Sequence, residues 1–347
     1  MYHIIEYENI DKNNIDGNYC LIDVRSPGEY RLYTIPDSIN IPIFDDEERK
    51  MVGTAYVQEG AEVAKKLGIQ IVSKKLPDMY DKIYNLSRKY KNLIFFCARG
   101  GLRSGSLVAL LVSLGINAMK LNGGYKRYRK YIIKALPESV KGVQFIVLYG
   151  NTGVGKTEVL KALREEGMDI LDLEACANHR GSFFGSVGLG EQNSQKMFES
   201  LLYKSLKSRK SNIVFVEGES RKIGKIVIPD YIFNAILEGI HINISASLET
   251  RINNIYRDYV RNNDSEIISA LELLRKHLGD RNIEYYKELI YQSQHRKVIE
   301  ELMVKYYDPL YGYKRKDYTE VFINENPAKT ARDIIQWVKG LKNRMAI

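Results

Sequence analysis

A glycine-rich segment at residues 150–157, Gly-Asn-Thr-Gly-Val-Gly-Lys-Thr, constrains the fold of this chain more than any other feature. It follows an apolar run, residues 144–149, that predicts a buried strand, and it precedes residues 158–166, which predict a helix. A strand that continues through a glycine loop into a helix is typical of α/β folds with a parallel sheet. The loop has the spacing G-x-x-x-x-G-K-T, in which backbone N–H groups surround a phosphate.

We therefore predict that residues of this loop bind a phosphoryl chain: Gly150, Gly153, Gly155, Lys156 and Thr157. The lysine would reach the terminal phosphates, and the Thr157 hydroxyl would ligate Mg²⁺ together with Glu217, which ends the predicted strand 212–216. The alternative for Glu217 is a solvated charge at a strand end. The pattern does not distinguish a nucleoside triphosphate from another diphosphate.

Cys97 lies in another predicted strand–loop–helix segment. The apolar run Leu93–Phe96 predicts a strand, a short loop carries Cys97, Arg99 and Arg103, and a predicted helix covers Ser104–Leu114. A thiolate needs nearby positive charge or helix N–H groups to form at neutral pH, and the same groups bind an oxyanion. The loop is therefore predicted to be a nucleophile site, an oxyanion site or both. A buried structural cysteine is the alternative.

Composition limits the class of protein. A chain of 347 residues is expected to form two or more domains, and a net charge of +9 favours polyanionic partners such as nucleic acid or phosphorylated metabolites. Three cysteines, Cys20, Cys97 and Cys176, are too few for a disulfide framework. The sequence shows no signal peptide and no apolar run long enough to span a membrane, so we expect a cytoplasmic protein without a membrane partner.

The order of the predicted elements indicates two α/β domains followed by a helical region. We predict a parallel-sheet domain over residues 1–135, a linker over 136–143, a second α/β domain over 144–245 and a helical C-terminal region over 246–347. In the first domain, helices are predicted over residues 45–68 and 76–90. Oligomeric state is not predicted.

Two further segments are candidates for contact with RNA or another substrate. Residues 120–141 interleave basic and tyrosine side chains, among them Lys126 and Arg127, which suits phosphate contact with base stacking. A solvated amphipathic helix is an equal alternative. Asn178, His179 and Arg180 lie in a polar, glycine-containing segment that is expected to form a loop near residues 150–157.

Several motifs occur in an order that is similar to one known family. Residues 23–30 and 97–104 resemble a rhodanese domain, and the glycine loop that follows resembles a P-loop NTPase domain. The combination resembles the tRNA 2-selenouridine synthases, a family to which several further segments also correspond: residues 47–49, 52–54, 121–125, 173–185, 194–196, 216–221 and 306–309. The family commonly has Trp directly after the cysteine, where this chain has Ala98.

The resemblance implies a tRNA-modifying transferase that converts wobble 2-thiouridine to 2-selenouridine through S-geranyl-2-thiouridine. Its co-substrates would be geranyl diphosphate, held by the P-loop with Mg²⁺, and selenophosphate, held by Arg99 and Arg103 while Cys97 carries selenium as an S-selanyl group. No tightly bound cofactor is expected. The expected partners are the tRNA anticodon loop and a selenophosphate donor, handed over by its synthase.

Cys97 and Arg103 are six positions apart, whereas rhodanese-like loops often have five. This spacing also fits a Cys-dependent phosphatase, so a rhodanese-type sulfurtransferase or a phosphatase regulated by nucleotide remains an alternative. A third interpretation is an RNA-binding protein whose rhodanese-like domain only docks partners.

Overall fold

The structure, a computed structural model, describes residues 2–12, 17–260, 263–309 and 317–345. The chain divides into two compact units, one formed by Met1–Leu136 with Glu199–Leu201 and the other by Pro137–Phe198 with Leu202–Ile347.

The first unit contains a parallel sheet with the strand order β1-β5-β4-β2-β3. Its strands are β1 (His3–Ile5), β2 (Tyr19–Asp23), β3 (Ile39–Asn40), β4 (Asn92–Phe96) and β5 (Ala118–Leu121). Its helices are α1 (Tyr7–Asp11), α2 (Pro27–Leu32), α3 (Asp46–Gln58), α4 (Ala61–Ser87), α5 (Leu102–Ser113) and α6 (Gly124–Val140). Every residue of β4 is buried, as expected of a central strand in a sheet that is covered on both faces.

Helix α6 covers part of the predicted linker. Residues 136–143 were expected to be a connection, but the helix continues to Val140, and the division between the units falls within it. Ile132, Leu136 and Val140 are all buried and recur at intervals of four residues. This continuing apolar stripe keeps the segment helical despite Pro137.

The break between α3 and α4 differs from the predicted one. The sequence predicted helices over residues 45–68 and 76–90, whereas α3 ends at Gln58 and α4 then continues from Ala61 to Ser87 with Pro77 inside it. Gly60, with φ of +100°, precedes α4. The chain therefore turns at the glycine and not over residues 69–75, where the predicted break lies.

The second unit contains a parallel sheet with the strand order β12-β11-β6-β8-β7. Its strands are β6 (Gln144–Tyr149), β7 (Ile170–Leu171), β8 (Ile213–Glu217), β11 (Ile240–Ser245) and β12 (Glu320–Ile323), and a separate antiparallel hairpin comprises β9 (Lys222–Ile223) and β10 (Ile226–Val227). The helices that flank or connect these strands are α7 (Lys156–Glu165), α8 (Leu173–Ala177), α9 (Gln195–Lys207) and α10 (Asp230–Leu237).

The predicted helical region 246–347 is largely helical, but its last part belongs to this sheet. It contains α11 (Leu248–Tyr259), α12 (Asp264–Leu273), α13 (Arg275–Leu278), α14 (Asp280–Tyr291), α15 (His295–Leu302), a π-helix (Met303–Tyr307) and α16 (Pro327–Met345). Strand β12 pairs with β11, and α16 buries Ala331, Ile334 and Val338 in the core that lies under β6 and β8. Three of the four residues of β12 are apolar, Val321, Phe322 and Ile323, but they are mostly exposed, and a run of three is too short to identify an edge strand in the sequence.

The mixed α/β architecture predicted from the sequence is confirmed, with a parallel sheet in each unit. Among the described residues, no helix is both long enough and apolar enough to cross a bilayer.

Candidate functional sites

Cys97 follows β4 directly, at the carboxyl edge of the first sheet, where ligand sites of parallel sheets usually occur. Its side chain is only 3% exposed, and Ser104 Oγ donates a hydrogen bond to its Sγ over 3.3 Å. Burial alone would raise the pKa of the Cys97 thiol. Hydrogen bonds from the Ser104 hydroxyl and from the backbone N–H groups of Ser104 and Arg99, together with the charge of Arg103, lower this pKa by more than burial raises it. The net pKa lies below the ordinary thiol value, as a nucleophile requires.

The turn between β5 and α6 packs against the cysteine loop and forms backbone hydrogen bonds with it. Tyr125 N–H donates to the Cys97 carbonyl and Lys126 N–H donates to the Ala98 carbonyl, each over 2.9 Å. Gly124 has φ of +56°, and a Cβ at this position would overlap the Cys97 carbonyl oxygen. Only glycine therefore allows the two turns to pack this closely.

The two arginines of the loop have different surroundings. Arg99 is exposed, whereas Arg103 is partly buried and its Nη1 donates to Glu29 Oε2 over 2.8 Å. Burial raises the pKa of Glu29, but the ion pair with Arg103 outweighs it and holds this pKa below its usual value. Arg103 thus acts on the thiol through its charge while its guanidinium is held in place by Glu29.

A second arginine–carboxylate pair lies beneath this loop and is fully buried. The Arg25 guanidinium donates to both oxygens of Asp23 over 2.6–3.1 Å, and its carbon lies 4.6 Å from the centre of the Tyr125 ring. Thr34 Oγ1 also donates to Asp23, over 2.8 Å. Because these groups satisfy one another, the pair anchors the chain after β2 and is not available to a ligand.

The other two cysteines have the opposite electrostatic surroundings. Burial raises the pKa of Cys20 to about 11 and that of Cys176 to about 12. Neither thiol is therefore a nucleophile at neutral pH.

In the second unit, residues 150–157 connect β6 to α7 as predicted. Lys156 Nζ donates to the Gly150 carbonyl over 2.9 Å, so the ammonium lies over the loop. Gly155 has φ of +82°, and a Cβ there would lie 2.7 Å from Asn324 Nδ2. The glycine is therefore needed both for its backbone conformation and for the close approach of Asn324.

Three carboxylates meet beside the loop. One oxygen from each of Glu174, Glu217 and Glu219 lies within 4.8 Å of the others, and Thr157 Oγ1 lies 2.6 Å from Glu217 Oε1. Burial, with repulsion from neighbouring carboxylates, raises the pKa of Glu217 well above its usual value and that of Glu174 to about 8. The Glu217 carboxyl is fully buried, and its Oε2 has no hydrogen-bond partner.

These donors fit a divalent cation such as Mg²⁺, which prefers carboxylate and hydroxyl oxygens. Thr157 and Glu217 were predicted as metal ligands, and the structure brings them together. Glu174 and Glu219 were quoted only as parts of longer motifs. The signal for Glu219 was its position two residues after Glu217, at the same strand end.

Distant residues hold the carbonyl groups of the phosphate-binding loop. Arg251 Nε donates to the Thr152 carbonyl and Asn254 Nδ2 to that of Gly153, each over 2.9 Å. Asn324 Nδ2 donates to the Val154 carbonyl over 2.8 Å, and Thr330 Oγ1 donates to Asn324 Oδ1 over 3.0 Å. With its carbonyl oxygens bound to protein, the loop has its conformation fixed without a ligand.

Asp308 completes this support. Its two carboxylate oxygens accept hydrogen bonds from Arg251 over 2.5 and 3.0 Å, and Oδ1 also accepts one from Asn151 Nδ2 over 3.1 Å. Asp308 lies in the segment 306–309 but no role was predicted for it, and roles for Arg251, Asn254 and Asn324 were not predicted from the sequence.

A cleft of about 390 Å³ opens over the loop and the carboxylates. Arg180 lines it, with its guanidinium carbon 4.9 Å from the centre of the Tyr259 ring and its Nη1 donating to the Val187 carbonyl over 2.8 Å. The side chains of Phe183 and Tyr318 also line the cleft.

The other residues predicted to contact RNA or substrate do not line this cleft. The Asn178 amide donates to the carbonyls of Leu189 and Glu191 and so closes its own loop. His179 is buried, and burial with the charge of Arg180 lowers its pKa. Lys126 and Arg127 lie on α6 beside the cysteine loop, both exposed, and Arg127 pairs with Glu6 over 3.0 Å.

A second, almost wholly apolar cavity of about 60 Å³ adjoins the cleft. Thr152, Ser182, Ile255, Tyr259 and Tyr307 line both spaces. The rest of its wall is formed mainly by aliphatic and aromatic side chains: Phe184, Val260, Ile267, Ile290, Val298, Ile299, Leu302 and Met303. A ligand with a phosphate end and a hydrocarbon end would find matching surroundings at the two ends.

Comparison with known proteins agrees with this two-part architecture. Residues 143–344 match the family model of the tRNA 2-selenouridine synthase AAA domain, and residues 7–131 match that of the rhodanese-like domain. A crystallised N-terminal domain from Clostridium difficile 630 is 42% identical, with a TM-score of 0.36, and the match covers 38% of this chain and 98% of that one.

Two relatives are both named tRNA 2-selenouridine synthase. The tRNA 2-selenouridine synthase of Nitrosomonas europaea is 38% identical over 69% of this chain, and the match spans 63% of that relative's length. The tRNA 2-selenouridine synthase of Marinobacter nauticus is 33% identical, and the match covers 96% of this chain and 97% of that protein. The chain is therefore a member of the tRNA 2-selenouridine synthase family.

Proposed function

We propose that the protein replaces the sulfur of wobble 2-thiouridine in tRNA by selenium, in two steps that use geranyl diphosphate and then selenophosphate. The observation that carries this proposal is the pairing of an acidified thiol in one unit with a phosphate-binding loop beside an apolar cavity in the other. The names of the relatives support the overall reaction on tRNA.

In the first step the base sulfur attacks C1 of geranyl diphosphate. A C–S bond forms as the C–O bond breaks, the diphosphate leaves with the electron pair, and the base gives up its N3 proton to solvent. Lys156 and the N–H groups of residues 150–157 stabilise the leaving diphosphate. The apolar cavity of about 60 Å³ takes only part of a ten-carbon chain, so the rest of a hydrocarbon donor would lie in the adjoining cleft of about 390 Å³. The wall of the cavity offers few groups that would hydrogen-bond a purine.

Mg²⁺ fits beside this loop, held by Thr157 and Glu217, with Glu174 and Glu219 close by. When bound, it would neutralise charge on the diphosphate. The unpartnered Glu217 Oε2 supports this assignment, since a buried carboxylate oxygen otherwise lacks any favourable contact.

In the second step Cys97 takes selenium from selenophosphate as a mixed disulfide, which its thiolate forms by exchange with a small disulfide. Selenium attacks Sγ, so the S–Se bond forms as the S–S bond breaks and the small thiolate leaves; water then takes up the phosphoryl group, and the electron pair of the Se–P bond stays on selenium. The S-selanyl group attacks C2 of the base and geranyl thiolate leaves; the small thiol then attacks Sγ, so that selenium stays on the base and the mixed disulfide forms again. Arg99, Arg103 and the loop N–H groups bind the anionic donor.

The tRNA would present a splayed base of its single-stranded anticodon loop to both sites. Arg180 at the cleft and Lys126 and Arg127 beside the cysteine loop supply positive charge for the backbone. We assign the reaction to the cytoplasm, with selenophosphate handed over by its synthase.

Incubating the protein with 2-thiouridine tRNA and each donor separately tests the proposal. Mass analysis of the wobble nucleoside should show S-geranyl-2-thiouridine with geranyl diphosphate alone and 2-selenouridine only when selenophosphate is then added. Selenation of 2-thiouridine tRNA without geranyl diphosphate, at the same rate as with it, would contradict the two-step order.

The spacing of six residues between Cys97 and Arg103 favours a second candidate, a Cys-dependent phosphatase or a sulfurtransferase regulated by nucleotide. Hydrolysis of aryl phosphates, or sulfur transfer from thiosulfate to cyanide, would then depend on Cys97 and respond to ATP. Neither activity is expected if Cys97 carries selenium during the reaction.

A further inference from the structure

A wide groove of about 1240 Å³ lies in the first unit, between α3, α4 and the start of α5. We call it the α3–α4 groove; its apolar lining includes Phe44, Val52, Val57, Ile69, Val72, Leu76, Leu102, Leu107 and Leu110. Cavities that hold small ligands are typically ~300–1,000 Å³, so this one is large enough for an extended organic group. The sequence motif Val52-Gly53-Thr54 lies on its wall, and the function derived above gives that motif no role.

The groove exposes large hydrophobic side chains to solvent. Val57 is 83% exposed, and Ile69 and Leu102 are each 69% exposed. Apolar side chains concentrated on one surface, rather than scattered singly, mark a site that is covered by a ligand or partner in use.

The groove meets the cysteine loop where that loop passes into α5. Leu102 and Arg103 line it, and Arg103 is also the residue whose charge lowers the pKa of Cys97. A ligand in the groove would therefore end beside the arginine that acts on the thiol, whereas Cys97 itself does not line the groove.

Among the described residues, the charged side chains that line the groove are basic: Arg49, Lys50, Lys65 and Arg103. Two carboxylates beside the groove pair with three of them, Glu29 with Arg49 and Arg103 and Glu62 with Lys65. An apolar floor with a basic rim complements a hydrocarbon group that is attached to a polyanion.

We propose that the α3–α4 groove binds the prenyl chain carried on the RNA base when that base reacts at Cys97. This inference rests on the proposed function, because the S-prenylated base is the intermediate of the two-step reaction. The ten-carbon chain would lie along the apolar wall, the basic rim would meet the RNA backbone, and the prenyl thiol would leave from the groove. The groove thus distinguishes a prenylated base from an unmodified one at the selenation site.

Gly53 offers a variant that narrows the groove with little risk to the fold. It lies within α3 and lines the groove, and no atom lies within 4 Å of a Cβ built on it. Gly53→Leu places a side chain in this open space and also raises helix propensity. Gly53→Ala changes the backbone in the same way but leaves the groove open, so it is the matched control.

The test compares two anticodon-stem hairpins, one with S-geranyl-2-thiouridine and one with S-methyl-2-thiouridine. Binding is measured by fluorescence anisotropy, and conversion by mass analysis after addition of selenophosphate. The wild type and Gly53→Ala should bind the geranyl hairpin at least about tenfold more tightly, since each buried methylene adds roughly fourfold. Gly53→Leu should lose most of this preference and bind the methyl hairpin unchanged.

Equal preference in Gly53→Leu and the wild type would overturn the proposal and leave the groove to a protein partner, as would a wild type with no preference. The failure of the proposed function is separate. If the geranyl preference depends on Gly53 but no selenium is incorporated, the proposed reaction is contradicted and the proposed role of the groove is supported. If Gly53→Leu incorporates selenium equally well and its binding is unchanged, the proposed role of the groove is contradicted and the proposed reaction is supported.

Discussion

The cysteine loop and the phosphate-binding loop are built alike but have opposite electrostatics. Each follows a strand of a parallel sheet, turns through glycines and enters a helix, α5 in one unit and α7 in the other. Hydrogen bonds and Arg103 lower the pKa of Cys97 despite its burial, whereas burial and mutual repulsion raise the pKa of Glu174 and Glu217. The first loop therefore stabilises an anion that belongs to the protein, and the second holds acidic groups that need a cation.

This difference shows that the strand–loop–helix unit provides an anion cradle but does not determine its chemistry. The residues that do so come from elsewhere in the chain. Glu29 positions Arg103 from 74 residues away, and Asn324 holds the carbonyl of Val154 from 170 residues away. The following variants test the contrast, beginning with the largest expected effect.

Cys97→Ser should abolish selenium incorporation, with a loss of at least about a thousandfold, because a serine hydroxyl is not ionised in this loop. Geranyl transfer should continue at the wild-type rate, since the P-loop lies in the other unit. The measurement is mass analysis of the nucleoside after each donor, with Cys176→Ser as the control. Selenation that survives in Cys97→Ser would remove the proposed role of the thiol.

Lys156→Ala should give the reverse pattern. Loss of the ammonium over the loop should slow geranyl transfer by roughly 10²–10³-fold, because charge on the leaving diphosphate is no longer balanced. Selenation of RNA that already carries the S-geranyl group should stay unchanged. Lys161→Ala, an exposed lysine on the same helix, is the matched control. Equal slowing of both steps would mean that the two loops do not divide the reaction.

Asn324→Ala should destabilise the conformation of the phosphate-binding loop, although the Asn324 side chain is not proposed to contact a ligand. The side chain is 2% exposed and makes hydrogen bonds to the Val154 carbonyl and to Thr330, so its removal should cost about 1–3 kcal/mol of unfolding free energy. Denaturant unfolding measures this cost, and the KM for geranyl diphosphate should rise. Asn212→Ala, at an exposed position, is the control. An unchanged KM with normal stability would show that the loop holds its conformation without Asn324.

Ser104→Ala should produce the smallest effect, a shift in a titration curve. The pKa of Cys97 is lowered in the folded protein, so its thiolate forms, and iodoacetamide reacts, at a lower pH than with an ordinary thiol. The same depressed pKa stabilises the fold above the unfolded-state pKa, and this contribution is lost as the pH falls through the folded-state value. Removing the Ser104 hydroxyl should move the alkylation profile upward by about one pH unit or less. No movement would mean that the backbone N–H groups and Arg103 suffice.

The sequence predicted the elements whose patterns are local. Strands β4, β6 and β8 are short apolar runs next to glycine loops, and Cys97, Lys156 and Thr157 follow from them directly. The parts that were not predicted depend on contacts between distant positions. The apolar run of β12 has only three residues, which do not distinguish a strand from part of a helix. Glu174 joins Glu217 only through the fold, and the sequence around Arg251 and Asp308 gives no sign that they support the phosphate-binding loop.

Asn178 and His179 illustrate a different difficulty. Polar residues beside glycines predict a functional loop, yet the Asn178 amide closes that loop on itself and His179 is buried. Side chains of this kind stabilise turns as often as they bind ligands, and the sequence pattern is the same for both.

The hydrogen bond between Asn324 and Val154 also has a consequence for protein synthesis. The two residues are 170 positions apart, so the ribosome translates the whole of α7 to α15 before the last support of the phosphate-binding loop exists. By contrast, the N–H groups that hold the carbonyls of Cys97 and Ala98 come from Tyr125 and Lys126, which are translated soon after them. A nascent chain thus completes its thiol cradle soon after Cys97 is made, but its diphosphate cradle only 170 residues after Val154.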